Sequence, residues 1–507
     1  MMSWMAVACF GQGTGFNGTN WFDVQTPQDV VWLKEMLPEG GCFTLRYRAD
    51  KDGAAGAQQL PNVIALHNDL AAVGKHLNVI YTAAMDATPA VNLAGLQTLV
   101  NAGVNVISVE AGNEEYSQNK FNFDFAAYRA AFEPIYEAIV LEYPTMPFSI
   151  FLAPRPRDSD GNGVPNSPGD ILGGRNDHKH VNDDAIAFLA TAPANYAVSV
   201  HFYFNENEVP VSASPVPGLA FNPAVFSQDH ETYFDQLYQQ ALASNLWTSS
   251  IAYLDRVVPG RKRYLTEFGH ANAGALKNTL GYSMAMWRVW NQYRGLFEQA
   301  LMHNGISPSG TGFIFPYSVG KDVNQGTTNM RRLDYWLYSM LTRVPLNTPE
   351  LPTSTTLNGV GTTTMFWFSN DGEAYTPKLS FAGCDLQSAS ITFVQGQYWY
   401  SSSGVTEWMN NGTLPNYSIG GTTTLTGATL PQIPRRSFGY LTLQTGELGL
   451  KFTSMTASSG NITLSWQGIG TLQSANTPSG PWADLPGATS PSTLPMASYG
   501  PFFRLRK

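Results

Sequence analysis

N-V-I-S-V-E-A-G-N-E-E, residues 105–115, is a short β-branched run that stops at an Asn-Glu pair. Val106, Ile107 and Val109 favour an extended, buried setting, and Gly112 then lets the backbone turn. The reading puts Asn113 and Glu114 at the carboxyl end of a strand. Much later R-Y-L-T-E-F-G, residues 263–269, ends the same way with Glu267, and His201-Phe202-Tyr203 closes another apolar run between them.

Working outward from this stretch, strands and helices alternate. Upstream, strands are expected at 4–10, 42–48 and 78–84, with a Gly/Asn-rich loop at 11–20. Helices are expected from Pro27 to about residue 36, capped by Thr26, and over 62–75 and 91–102. In 42–48, Phe43, Leu45 and Tyr47 alternate with Thr44, Arg46 and Arg48. Downstream the expected helices cover 123–143, 183–190, 231–257, 280–304 and 330–342, between strands at 147–152, 197–204, 263–268 and 312–317. Eight strands, each followed by a helix, predict an α/β fold, a (β/α)8 TIM barrel over residues 1–344, with its chemistry where the strands end. From residue 345 helical periodicity disappears. T-T-M-F-W-F, A-S-I-T-F-V, Y-W-Y and S-F-G-Y-L-T-L, separated by Gly, Ser, Thr and Asn, predict a C-terminal β-sandwich over 345–447, and a small all-β module follows over 448–507.

The bulk properties agree with a large folded protein. At 507 residues the chain exceeds a single core, and with 43% hydrophobic but only 13% charged residues it has a packed interior and a polar, uncharged surface. A formal net charge of −9 argues against a general nucleic-acid binder, since no broad basic face is supplied. No apolar run reaches the roughly 18 residues of a membrane span. Cys9, Cys42 and Cys384 allow at most one disulfide and have no metal-ligand spacing. Residues 4–10 could be the remnant of a signal-peptide core, but no Lys or Arg precedes them, and the barrel needs a first strand there.

An Asn-Glu dipeptide is common by chance, and Glu114 alone reads equally as a solvated carboxylate. In a barrel, however, the ends of strands four, six and seven converge on one bowl. On these residues the chain resembles the clan A glycoside hydrolases, retaining barrel enzymes whose acid/base is the Glu of an Asn-Glu pair after strand four and whose nucleophile is a Glu after strand seven. The resemblance implies Glu114 as acid/base, Glu267 as nucleophile and Asn113 as the partner of the substrate's 2-hydroxyl. It also implies that His201 and Tyr203 brace the carboxylates, and that Arg46 or Arg48 is the basic residue after strand two. A retaining pair stands about 5–5.5 Å apart, close enough for the ionised nucleophile to keep its neighbour protonated. The clan often carries a Trp sugar platform after strand eight; here F-I-F-P-Y-S occupies 313–318, so Phe315 or Tyr317 would take its place, with Trp21 and Phe204 near the bowl.

The expected activity is therefore a retaining, endo-acting β-glycoside hydrolase on a polysaccharide, with no cofactor required for catalysis. A barrel that binds carbohydrate without cleaving it, or a transglycosylase, is the alternative. Between 158 and 170, Asp158, Asp160, Asn162, Gly163 and Val164 follow the spacing of a calcium loop, but Gly169 holds the twelfth place and Asp170 comes one residue late. A structural Ca2+ and an ordinary Asp/Asn/Gly turn cluster are both open there. Arg46, Arg48, Lys51, Arg155, Arg157, Arg175, His178, Lys179 and His180 gather in loops expected on the same face. They could recognise an anionic polysaccharide, or pair with Asp50, Asp158, Asp177 and Asp183. His178 and His180 lack a third metal ligand nearby. The tail, with L-Q-S-A-N-T-P-S-G-P-W and G-P-F-F-R-L-R, resembles short β modules that close large secreted bacterial proteins, which implies export to the medium or the cell surface.

Overall fold

A computed structural model describes residues 14–17, 27–49, 59–115, 118–122, 124–153, 177–204, 238–239, 242, 247–270, 280–302, 314–315, 330–331, 333–395 and 422–507. Eight parallel strands close into a barrel. They are β1 (Thr14–Asn17), β2 (Cys42–Arg48), β3 (His76–Ala83), β4 (Asn105–Ala111), β5 (Phe148–Phe151), β6 (Tyr196–Phe204), β7 (Arg263–His270) and β8 (Gln299–Met302). The helices around them are α1 (Pro27–Met36), α2 (Leu60–Ala71), α3 (Pro89–Asn101), α4 (Phe125–Glu142), α5 (Asp177–Thr191), α6 (Trp247–Val257), α7 (Leu280–Tyr293) and α8 (Leu333–Leu341). Thr88 caps α3 by accepting from Val91 N–H, and Asp124 caps α4 by accepting from Ala127 N–H.

The barrel has the expected number of strands, but the first and last are not where the sequence places them. Residues 4–10 lie outside the described residues, and β1 falls instead in the T-G-F-N segment read as loop, pairing with both β2 and β8. The eighth strand is Q-A-L-M, inside the region assigned to a helix over 280–304; α7 stops at Tyr293 and a short 3-10 turn, Arg294–Leu296, leads into β8. Gln-Ala-Leu-Met has no β-branched residue and is only four long, so its period cannot be told from that of the preceding helix. Ile314–Phe315 is extended, yet it pairs antiparallel with Met330–Arg331 rather than with the barrel.

Strand parity separates two environments. Phe43, Leu45 and Tyr47 of β2, with Leu77, Val79 and Tyr81 of β3, join the large core between sheet and helices. The alternate positions face the barrel axis. There Ile80, Ala197, Tyr264 and Leu301 make a small apolar layer, while Thr44 donates to Gln299 at 2.8 Å and Ser199 to Ser149 at 2.8 Å.

Two extra residues, one in β4 and one in β7, interrupt this parity, the second shifting the register of β7 against β8 as well as against β6. Between β3 and β4, Val79 pairs with Val106 but Ile80 pairs with Ser108; between β6 and β7, Val200 pairs with Leu265 but His201 pairs with Glu267. Each shift adds one residue to a strand and reverses the facing of everything after it. Val106 and Val109, three apart, both reach the outer core, as do Leu265 and Phe268. Glu110 and Glu267 are thereby turned inward.

After α8 the sheets are mostly antiparallel. β12 (Thr363–Asn370), β16 (Ser437–Gly446), β14 (Asp385–Gln395) and β15 (Thr423–Gly427) form one sheet in that order. One of its faces carries Phe366, Phe368, Ile391, Leu441 and Leu443, against which Leu357 and Leu379 pack from the parallel pair β11 (Ser354–Asn358) and β13 (Lys378–Ala382). Its other face sends Trp367, Val394 and Phe438 into the barrel's own core. Trp287 of α7 donates to the Phe368 carbonyl at 2.8 Å and lies 5.7 Å from the Phe438 ring. Residues 451–506 form two three-stranded sheets around their own cluster of Ile462, Leu464, Trp466, Leu472, Leu485 and Leu494. The Y-W-Y run at 398–400 lies outside the described residues.

Candidate active site

Arg46 is the centre of the carboxyl-end mouth of the barrel. Inward parity on β2 buries it completely, and its three donor positions each find a different partner. Nε donates to Glu110 Oε2 at 2.5 Å, one terminal nitrogen to Glu267 Oε1 at 2.7 Å, and the other to Asn113 Oδ1 at 2.9 Å. Only the planar fork of an arginine can hold three acceptors this way. Arg48, two residues on, stands 3.8 Å from the same Glu267 oxygen.

Below Arg46, Glu110 accepts two more hydrogen bonds, from Thr82 Oγ1 at 3.0 Å and Thr266 Oγ1 at 2.6 Å. Above it, the chain leaves β4 through Gly112 at φ +76 and Glu114 at φ +55. The next residue, Glu115, is buried and accepts from Asn113 N–H at 2.8 Å, with Lys120 at 3.5 Å. A Cβ on residue 112 would stand 2.1 Å from Glu115 Oε1, so glycine is required here for space as well as for backbone conformation. Tyr128 of α4 pins the turn from behind by donating to the Ala111 carbonyl at 2.6 Å.

His201 bridges the two sides of the mouth. Its Nδ1 is 2.9 Å from Glu114 Oε1 and 3.4 Å from Glu267 Oε2, and while both carboxylates are ionised they only accept, so Nδ1 is the donor in that state. Phe151 meets the ring edge-on at 5.1 Å, and His201 Nε2 is buried without a partner among the described residues. Glu114, His201 and Glu267 each bring a polar atom within 4.8 Å of the others. The positive charge such a cluster calls for is already supplied at Glu267 by Arg46.

The two carboxylates have different surroundings. Glu267 is 5% exposed and held by a cation, whereas the Glu114 side chain is 40% exposed. Burial pushes the Glu114 carboxyl up, but the hydrogen bond and charge of His201 outweigh it; Glu267 opposes and Arg46 assists, and the group sits below its ordinary value. The expectation that Glu267 keeps Glu114 protonated is therefore reversed in the free chain, because His201 lies between them.

Of the residues singled out from sequence, the structure brings together Arg46, Arg48, Asn113, Glu114, His201 and Glu267. Tyr203 and Phe204 end β6, Tyr203 in backbone register with Gly269, but their side chains are outside the description. Phe315 is on the two-residue antiparallel strand rather than the eighth barrel strand. Trp21, Tyr317, Lys51, Arg155, Arg157, Arg175 and the loop with Asp158, Asp160, Asn162, Val164 and Asp170 lie outside the described residues, as do the side chains of His178, Lys179 and His180 on α5.

Sequence reading missed Glu110 and Glu115. Both were in plain view in residues 105–115. A carboxylate near the end of a strand buried on both faces is costly unless paired, and that cost is the signal that Glu110 has a partner inside the barrel.

No family model matches the chain, and no curated protein matches it by sequence. In structure it is similar to an α-L-arabinofuranosidase from Thermotoga maritima in complex with arabinose, at 11% identity and a TM-score of 0.47, over 83% of this chain and 90% of that one. It is similar also to an endo-β-1,6-glucanase, at 10% identity and a TM-score of 0.43, over 86% and 91% of the two chains. A bifunctional glucanase-xylanase from a metagenome library aligns at 9% identity and a TM-score of 0.44, over 86% and 99%. Likeness at this level carries no inference about chemistry, which has to come from the residues.

Proposed function

We propose that the chain is a retaining β-glycoside hydrolase that cuts within a polysaccharide by double displacement. The observation that supports it best is the pair Glu114 and Glu267, from strands on different sides of the mouth, with oxygens within 4.8 Å of each other. That spacing suits the roughly 5–5.5 Å of a pair in which one carboxylate attacks directly, and is short of the roughly 6.5–9.5 Å that admits a water.

In the first step a Glu267 oxygen bonds to the anomeric carbon as the glycosidic C–O bond breaks, and the Glu114 proton passes to the leaving oxygen. In the second, Glu114 takes a proton from water, the hydroxyl bonds to the anomeric carbon, and Glu267 departs as a carboxylate. Arg46 fixes the attacking group and, through the same guanidinium, turns Asn113 toward the sugar. Glu114 must start protonated, and His201 holds its pKa down, so the enzyme works on the acid side of neutrality. The long loops expected from sequence after the fifth and sixth strands, which lie largely outside the described residues, are the basis for proposing a cleft with several subsites and endo action.

We also propose an extracellular or cell-surface location, supported by Cys42 being disulfide-bonded, since such bonds persist in oxidising compartments. The test of the activity is a panel of neutral and acidic polysaccharides given to the intact protein and to Glu267→Ala, following new reducing ends, product size and the anomer first released. Cleavage with retained configuration, lost in the variant, sustains the reading. Equal binding by both proteins without cleavage replaces it with a carbohydrate-binding role, and transfer to added acceptor sugars in place of water makes the enzyme a transglycosylase.

A further inference from the structure

Glu110 cannot touch a substrate. It has no exposed surface, and its two oxygens already accept three hydrogen bonds, from Arg46, Thr82 and Thr266, beneath the floor of the mouth. Yet two separate distortions of the barrel converge on it. The register shift in β4 turns Glu110 inward, and the shift in β7 turns Glu267 inward to meet Arg46, directly beside Thr266, which shares the inward parity of Tyr264 and holds Glu110.

The charges show what this arrangement does. Arg46 and Arg48 face Glu267 from β2; Glu114 and Glu115 follow β4, Tyr128 stands behind from α4, and His201 faces from β6. Without Glu110, Glu267 at 2.7 Å would be the one carboxylate left in ion-pair contact with Arg46, and a carboxylate held that tightly attacks poorly. The Nε bond to Glu110 also fixes the tilt of the guanidinium, and with it the height of both Glu267 and Asn113.

We infer that Glu110 is a positioning residue for the glycosyl transfer: from beneath the floor it sets the orientation of Arg46 and offsets its charge, so that Glu267 is aligned but still able to attack. The inference rests on the hydrolase reading above. The charge-removing variant Glu110→Gln and the charge-preserving variant Thr266→Val separate its parts.

In Glu110→Gln, one amide oxygen cannot accept from three donors, and the crystal structure is expected to show Arg46 turned away from Asn113. On the polysaccharide identified by the panel, kcat/KM should fall on the order of a hundredfold, the loss typical of a misplacement of about 1 Å. The acid limb of its pH profile should move to lower pH, because an uncompensated Arg46 keeps Glu267 ionised longer. Thr266→Val should lose less than about tenfold with the limb in place, as expected for one neutral hydrogen bond. A merely structural Glu110 would reduce the folded fraction and leave the limb where it was.

Unchanged kcat/KM and an unchanged limb in Glu110→Gln overturn the inference. If that variant does not fold, the double variant Thr82→Val/Thr266→Val decides, since it keeps the charge and frees the carboxylate; a kcat/KM equal to that of the intact protein overturns the inference. If the intact protein cleaves nothing, the hydrolase reading falls, and the crystal structure of Glu110→Gln still decides whether Glu110 orients Arg46.

Discussion

Gly112→Ala is the substitution whose cost the structure defines most closely. Residue 112 sits at φ +76, where an L side chain costs about 1–2 kcal/mol. Gly40 sits at φ +64 with nothing within 4 Å of an added Cβ, so Gly40→Ala carries that conformational cost alone. At Gly112 the new Cβ would also stand 2.1 Å from Glu115 Oε1 and 2.5 Å from its Cγ, too deep along the side chain for rotation of the carboxylate to relieve. Glu115 must move, and the charged hydrogen bond it accepts from Asn113 N–H at 2.8 Å is lost, a further roughly 1.5–3 kcal/mol. The total is about 2.5–5 kcal/mol, against about 1–2 for Gly40→Ala. Urea unfolding followed by far-UV circular dichroism reads the difference as a fall in midpoint of roughly 1 M for the barrel transition. Activity should fall more than stability, because Asn113 and Glu114 ride on the same turn. Equal midpoints for the two variants would refute the reasoning.

Three other outcomes are expected. Replacing His201 by Phe removes the two larger of the three influences that lower the Glu114 pKa and leaves only Arg46 against burial and Glu267, which raise it; the acid form then survives to higher pH, and the alkaline limb of kcat/KM should move upward, a downward move being contrary to the assignment. Trp287→Phe deletes the donor to the Phe368 carbonyl and opens a cavity beside Phe438, a loss of about 2–4 kcal/mol that calorimetry should record in the transition linking barrel and C-terminal sheet. If the loop with Asp158, Asp160 and Asn162 holds calcium, a chelator should lower the unfolding temperature by several degrees and calcium should restore it, whereas a plain turn cluster would leave it unchanged.

Much of the barrel was legible because its sequence pattern is regular. β2 was found to the residue, since Phe43, Leu45 and Tyr47 alternate with polar partners without interruption. β1 and β8 were missed because four residues carry too little periodicity, and F-I-F-P-Y, richer in β-formers, drew the eighth strand away from Q-A-L-M. The facing carboxylates Glu114 and Glu267 were legible from their place at two strand ends. Glu110 was not, because strict alternation from Val106 puts it on the helix side of the sheet; only the extra residue at Ile107 turns it inward. Composition cannot reveal a bulge, so the floor of the site was hidden while its rim was plain. The bridging position of His201, and its effect on Glu114, needed coordinates for the same reason: residues 114 and 201 meet only through closure of the barrel.

The shared core between α7 and the C-terminal sheet bears on how this protein can be handled. Cutting the chain after residue 344 would strip Trp367, Val394 and Phe438 from the apolar surface around Trp287 and leave that surface facing water. A barrel trimmed for crystallisation or for fusion to another protein would therefore tend to self-associate, however intact its carboxyl-end mouth. Retaining residues up to 446, the end of the strand that carries Phe438, is the shortest trimming that leaves the patch covered.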